Sequence, residues 1–481
     1  MKTNRRNFIK IAGVAGTGII SSGLTPVIND KKKKRSDPFA HTLEAAEKDH
    51  KQIFNMCGYS APKLETVRIG LIGIGSRGLG AVERLRHIEG VEIKALCDKY
   101  QERVDLAQKS LKESGMPLAA EYANSEDIWE DLVTRDDIDL VYICTPRGMH
   151  TKMAVLAMET GKHAATEMPA LSTLEDGWQL VETSERTRKH CMMLENCCYD
   201  FFELLVLNMV RQGLFGEIIH AEGGYIHDQL EMNFTKNLRT GMWRLKESQH
   251  RNANLYPTHG LGPLCQVMNI NRGDRMMHLT STASNDFMMG KKAAELAKTD
   301  DFFKEFDTNS YRGNMNTSVI KTEKGKTIVL QYDITSPRPY TRIQLISGTK
   351  GVSLKYPEPP RIALGHEWLS DEKMKEIWEK YTPEIIKRVG ELAKEVGGHG
   401  GMDFLMDWRL IDCLRNGLPL EQDVYDAASW SSIVPLSEWS AANGSNAIKV
   451  PDFTCGSYTT NSPFDLKMTY GGNTGVKALK I

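Results

Sequence analysis

Net charge is almost absent from this 481-residue chain: 61 Lys and Arg stand against 62 Asp and Glu, leaving −1. No basic stripe is present beyond Lys31 to Arg35, which reads as a solvated linker, so a nucleic-acid partner is not implied. Cysteine is sparse and odd in number, nine in all, with no spacing that suggests a disulfide framework. Cys97, Cys144 and Cys191 fall at or beside expected core strands, where Cys acts as a small buried hydrophobe. The Cys197-Cys198 pair lacks a second pair at zinc spacing, and nothing in the sequence shows that His227, His259 and His399 converge, so no metal site is assigned. Long apolar runs are missing too. The mild stretch from Ile11 to Ile20 is too short and too weak to span a bilayer, which argues against a stable membrane span. There is no internal repeat. What remains is a globular chain of two domains or one large mixed unit, with self-association into a homo-oligomer left open.

The informative stretch is Val67 to Asp98. Val67, Ile69, Leu71 and Ile72 make the nearly continuous apolar run of a strand buried on both faces. It ends in Gly73-Ile74-Gly75-Ser76-Arg77-Gly78, after which Ala81, Val82, Leu85 and Ile88 recur at helical spacing. Val91, Ile93 and Ala95 then alternate into a second strand that stops at Asp98. A GxGxxG motif alone is a weak signal, but here it follows a strand, opens a helix and precedes an acid by about 20 residues, which is the context of a dinucleotide-binding βαβ unit. Gly73 permits the tight turn, Gly75 lets the backbone approach a pyrophosphate, and Gly78 lets helix and strand pack closely. Asp98 would accept from an adenosine ribose and repel a 2′-phosphate, so NAD is expected as the cofactor rather than NADP.

Helix and strand continue to alternate. A helix is expected near Glu102 to Ser110, a strand at Ile138 to Cys144, a helix at Thr151 to Glu159, and a strand at His163 to Thr166. A helix from Thr173 to Thr187 and a strand from Cys191 to Glu195 complete a doubly wound parallel sheet. Ligands bind beyond the carboxyl ends of such strands, so Thr145 to His150, Glu167-Met168 and Glu195-Asn196 should converge on the cofactor beside the glycine turn. The fold class is therefore α/β: an N-terminal Rossmann sheet over 66–196, then an α+β domain over 197–450 with an open, mostly antiparallel sheet. Its strands include Glu217 to Tyr225, Thr317 to Lys321 and Thr327 to Asp333, with helices on one face. Asp286 to Arg312 reads as a helix in a long excursion, residues 36–65 as a helix and linker, and 451–481 as a tail, loose from Gly471 onward. Trp243, Trp368, Trp408, Trp430 and Trp439 read mainly as core, with a sugar-stacking platform among them the alternative.

The first residues, Asn4-Arg5-Arg6-Asn7-Phe8-Ile9-Lys10 followed by a mild apolar run, resemble a twin-arginine export signal. Residues 1–35 would then be signal and basic linker, and the protein would reach the periplasm folded, with its nucleotide loaded beforehand.

The fingerprint, Thr145-Pro146 with His150, and Glu167-x-Pro169 resemble the glucose-fructose oxidoreductase and inositol dehydrogenase superfamily, which usually carries a catalytic lysine where this chain has Met168. A thioether cannot move that proton. Glu195-Asn196-x-Cys198-Tyr199, Trp243-Arg244, Tyr256-Pro257-Thr258-His259-Gly260, Arg338-Pro339-Tyr340 and His399-Gly400-Gly401-Met402-Asp403 are similar to glycoside hydrolase family 109 almost from end to end. The resemblance implies NAD-dependent release of terminal α-linked N-acetylgalactosamine from a glycan, with retention. It also implies cofactor positions at Ser76, Arg77, Asp98, Arg147 to His150, Glu167-Met168, Asn196 and Tyr256, and sugar positions at Tyr225, Arg244, Tyr256, Pro257, Thr258, His259 and Tyr340. Where the family often has tryptophans, this chain has Arg147, Gly148 and Met149. In such a reaction carbon 3 of the sugar is oxidised, which acidifies the carbon 2 proton; a base removes it, the carbon 1 substituent leaves, water adds and the hydride returns. His259 is the leading base, with Tyr225, Tyr340 and His399 the next candidates.

Overall fold

The computed structural model describes residues 40–237, 241–308 and 310–477. The expected export signal and basic linker lie outside the described residues. The first described helix is Ala40–Glu47.

Strands β1 (Val67–Ile72), β2 (Val91–Cys97), β3 (Ala120–Tyr122), β4 (Leu140–Ile143), β5 (His163–Thr166) and β6 (Cys191–Met193) form a six-stranded parallel sheet in the order β3-β2-β1-β4-β5-β6. β4, β5 and β6 are buried at every residue, as strands covered on both faces must be. The helix Ser76–Leu85 buries Gly78, Ala81, Val82 and Leu85 against this sheet, and Leu174–Thr187 is fixed at its start by a reciprocal cap between Thr173 and Asp176. Strand order reverses between β1 and β4, so the crevice for a ligand opens at their carboxyl ends, where Gly73 and Thr145 lie.

The second sheet has eight strands: β7 (Ile218–Ile226), β8 (Met276–Ala283), β9 (Asn316–Thr322), β10 (Thr327–Asp333), β11 (Leu345–Gly348), β12 (Val352–Leu354), β13 (Arg361–Ala363) and β14 (Ile448–Lys449). Their order is β13-β12-β11-β7-β10-β9-β8-β14, antiparallel throughout except for β7 beside β10. Helices Thr258–Met268 and Ile433–Ala442 pack on β7 and β8. The expected excursion holds the helix Met289–Ala297 and a 3₁₀ turn Asp301–Phe306, which close a satellite core of Phe234, Leu245, Phe303 and Phe306.

The C-terminal half returns to the first sheet through the helix Met402–Asn416, which packs on Ser76–Leu85. Arg84 Nε and the Tyr142 hydroxyl both donate to the buried Asp407 carboxylate at 2.7 Å. The stretch from Gly471 is not loose over its described length. Trp408 is fully buried and its indole N–H needs an acceptor, which the Thr474 carbonyl supplies at 3.1 Å; Gly475 N–H donates to Glu89, and Val476 bridges Ile88. Among the described residues no helix is long and apolar enough to cross a membrane.

Candidate active site

The three glycines of the turn are there for two different reasons. At Gly73, with φ +89°, an added Cβ would lie 2.7 Å from the Cys144 carbonyl oxygen, and at Gly78 it would lie 2.0 Å from that of Gly73. Those two are demanded by the protein's own packing. A Cβ at Gly75 would meet nothing within 4 Å, so the fold does not need glycine there; the free space lies directly before the helix that opens at Ser76. Open room at a helix N-terminus fits a dinucleotide's pyrophosphate. Asp98 is 5% exposed and braces the turn: its carboxylate accepts from Ile74 N–H at 2.8 Å and Tyr100 N–H at 3.0 Å, with Arg103 at 3.3 Å. A ribose hydroxyl would share the lone pairs that these leave.

Beside the turn, Arg77 joins the two halves of the chain. Its Nε donates to Glu167 at 2.6 Å, past the end of β5, and its Nη1 to Asp403 at 2.8 Å. Asp403 also accepts from Asn196 and lies 2.9 Å from His399 Nδ1 and 3.6 Å from Arg84. Burial alone would raise the Asp403 carboxyl, but His399, Arg77 and Arg84 hold it well below the usual carboxylate range. Met168 is buried next to this cluster in sequence, with no proton to give. His399 therefore belongs to the hydrogen-bond network at the glycine turn.

His150 is 1% exposed, with Nδ1 2.9 Å from the Pro169 carbonyl and Nε2 2.8 Å from that of Thr145. Both ring nitrogens thus face main-chain carbonyls of the two strand-end turns; burial lowers the pKa, and the neutral imidazole donates to one of them. Arg147 is buried, donates to the Leu255 carbonyl, pairs with Glu247 at 3.1 Å and lies over the Trp243 ring. It ties the turn after β4 to the segment that carries Tyr256 and His259.

At that junction stands a cluster of rings. Tyr225 from β7 has its ring centroid 4.8 Å from Tyr256, 5.5 Å from His259 and 6.2 Å from Tyr340. Its hydroxyl accepts from Gln229 at 2.8 Å and lies 3.0 Å from His227 Nδ1. Burial pushes the Tyr225, Tyr256 and Tyr340 hydroxyls above their ordinary range, so at neutral pH they are donors and not bases. His227 and His259 are the imidazoles beside them, and His259 is the one paired with a carboxylate. It sits in the first turn of Thr258–Met268, with Nδ1 2.8 Å from Glu195 Oε1 just past β6, which leaves Nε2 for a substrate. Burial alone would raise the fully buried Glu195, but His259 and the Cys197 N–H bring it below its ordinary range. A charged carboxylate behind the ring fixes its tautomer and stabilises the imidazolium formed when Nε2 takes a proton.

This closeness depends on glycine. A Cβ at Gly260 would lie 2.4 Å from Gly224 N, and one at Gly262 would lie 3.0 Å from Glu195 Cγ, so only bare backbone lets this helix sit on β7 and beside Glu195. Arg244 lines a pocket with Tyr225 and Tyr256, and its guanidinium lies 4.7 Å from the Trp243 ring beside it. Pro257 and Thr258, expected at the sugar, are buried and set the helix start instead. Trp408, Trp430 and Trp439 are core, and of the five tryptophans Trp243 stands beside the pocket. The sequence places Glu195 at a strand end facing the cofactor but does not show its pairing with His259, and it does not mark Gln229, His227 and Glu247 as parts of the site; a polar residue every second position from Tyr225 to Gln229, at the exit of β7, was the available signal. His227, His259 and His399 are not brought together as metal ligands among the described residues.

Residues 67–195 match the family model described as the oxidoreductase family, NAD-binding Rossmann fold. With the glycine turn, this defines the class: an NAD-binding protein of the oxidoreductase fold. An NAD-binding oxidoreductase of Klebsiella pneumoniae superposes with a TM-score of 0.61 at 16% identity, covering 80% of this chain and 99% of that one, which is likeness of fold. Residues 199–460 match the model for the glycosyl hydrolase 109 C-terminal domain. A glycosyl hydrolase family 109 protein of Shewanella pealeana is 45% identical across 97% of this chain and 99% of its own length. A protein of Shewanella oneidensis named alpha-N-acetylgalactosaminidase is 44% identical across 96% and 98%. The chain belongs to glycosyl hydrolase family 109 and is an NAD-dependent glycosidase.

Proposed function

We propose that the protein releases terminal α-linked N-acetylgalactosamine from glycans by oxidation, elimination, addition and reduction, with retention of configuration. The substrate rests on the name of the Shewanella oneidensis relative. The mechanism is carried by one observation, the His259–Glu195 pair set among protonated tyrosines at the mouth of the NAD crevice. Bound NAD would be held by the glycine turn, Asp98 and the Arg77–Glu167 edge, and would supply hydride acceptance and return at carbon 3. His259 Nε2 takes the carbon 2 proton while Glu195 steadies the charge on the ring. The Tyr225 and Tyr256 hydroxyls donate hydrogen bonds to the sugar oxygens that become more negative along the path. Such a path does not require the carboxylate pair of ordinary glycosidases.

Turnover of a nitrophenyl α-N-acetylgalactosaminide in deuterated water should release nitrophenol without net NADH and place deuterium at carbon 2. His259→Ala should lower both release and exchange by about 10²-fold or more. Released sugar without deuterium at carbon 2 would show that no proton leaves there, and direct displacement would replace elimination.

Export by the twin-arginine route to the periplasm is the second part of this proposal, supported by Arg5-Arg6, Phe8 and Lys10 in register ahead of a mild apolar run. Replacing both arginines by lysine should leave the folded, nucleotide-loaded protein in the cytoplasm. Undiminished recovery outside the cytoplasm would rule this route out.

A further inference from the structure

The base pair of the site has a third neighbour that the reaction does not use. Cys197 is fully buried, and one ligand atom each from Glu195, Cys197 and His259 lie within 4.8 Å of one another. Glu195 Oε2 is buried without a hydrogen-bond partner, although its carboxylate carries the charge that orients His259. Imidazole nitrogen, carboxylate oxygen and thiolate sulfur are a ligand set for a borderline-soft divalent cation of the zinc type, and not for magnesium or calcium. A tetrahedral zinc ion needs about 3.3 Å between the nitrogen and oxygen ligands and about 3.6 Å from each of them to sulfur. His259 Nδ1 and Glu195 Oε1 stand at 2.8 Å and must part slightly, while the widest separation has at most about 1.2 Å to close. A thiol gives up its proton when it ligates, which favours a thiophilic ion.

We propose that Glu195, Cys197 and His259 form an inhibitory site for one thiophilic divalent cation of the zinc class. Binding ligates His259 Nδ1, a Glu195 oxygen and Cys197 Sγ; the thiol proton is released and the proton on Nδ1 passes to Nε2. The His259–Glu195 hydrogen bond is lost, and Nε2, now protonated, can no longer accept a proton from the sugar. The inhibition rests on His259 being the base; the binding does not.

The test titrates the full-length NAD-loaded protein with Co²⁺ and with Zn²⁺. One Co²⁺ per chain should bind with a thiolate-to-cobalt charge-transfer band, and Zn²⁺ should displace it and abolish turnover. Cys197→Ser, which keeps the backbone N–H to Glu195, should lose the band and weaken Zn²⁺ inhibition by about tenfold or more. Cys198→Ser should keep both effects. If Cys197→Ser fails to fold, Cys197→Ala replaces it. Cobalt bound without the band, or inhibition unchanged in the Cys197 variant, would overturn the site. A normal band with full activity would instead leave the cation site standing and remove His259 from the role of base.

Discussion

At the scale of single residues, the proposed base and the carboxylate that holds it come from distant parts of the chain. His259 was legible in the sequence through the Tyr256 to Gly260 run by which the chain resembles its family. Its pairing with Glu195 was not, since Glu195 is 64 residues away and meets the ring only because the helix Thr258–Met268 packs on the turn Asn196–Tyr199 that follows β6. The same holds for His150 and His399, whose residue type suggested chemistry but whose partners, two main-chain carbonyls in one case and Asp403 in the other, are set by packing. Replacing Glu195 by Gln keeps the size and an acceptor for Nδ1–H while removing the charge that stabilises the imidazolium. It should lower kcat by about 10²-fold with little change in KM, as measured by steady-state kinetics on the nitrophenyl glycoside. A kcat within a factor of about two of the parent would show that the carboxylate does not assist proton transfer.

At the scale of elements, the glycines divide into those the fold needs and those a ligand needs. Gly260→Ala drives a methyl group to 2.4 Å from the Gly224 nitrogen, with rigid β7 backbone unable to give way. The helix must lift, at a cost of about 1–3 kcal/mol in stability, and His259 one residue earlier shifts with it. Gly75→Ala meets nothing within 4 Å, so its unfolding midpoint should match the parent while NAD retention falls, because the methyl group stands where backbone must approach the pyrophosphate. Urea unfolding and the nucleotide content of the purified variants check both halves. Gly75→Ala with full NAD content would move the pyrophosphate elsewhere. The elements themselves were legible to different depths. β1 and β4 carry nearly continuous apolar runs and read directly as buried parallel strands, β2 shows by its alternation, and Thr327–Asp333 was located to the residue. β3, β12 and β13 are three residues each, too short for any period to show, and exist because a neighbouring strand offers its edge. The run from Gly471 carries no periodic pattern at all; its anchoring comes from the Trp408 indole and Glu89, which the local sequence cannot announce.

At the scale of the whole molecule, Asp403 is a point where the C-terminal half of the chain is tied back to the first sheet. It sits on the helix Met402–Asn416 and is 1% exposed, yet its partners are Arg77 and Arg84 of the glycine-turn helix, Asn196 past β6, and His399. Removing one member of such a buried pair leaves the guanidinium groups without their counter-charge, so Asp403→Asn should cost about 3 kcal/mol at neutral pH. The pH dependence has a definite sign. In the folded state the Asp403 carboxyl is held well below its unfolded value of about 3.9, so its contribution is complete above that value and drains away as pH falls through and below it. Asp407 works in the opposite direction, since burial raises its carboxyl and acid eases its protonation in the folded state, which offsets part of the slope. The urea midpoint of the parent should therefore fall as pH drops below about 4, while that of Asp403→Asn starts lower and falls less, so that the two curves approach each other in acid. Parallel curves over that range would show that Asp403 is protonated alike in the folded and unfolded chain, and that the junction is held by packing of the helix Met402–Asn416 on Ser76–Leu85 without help from this charge.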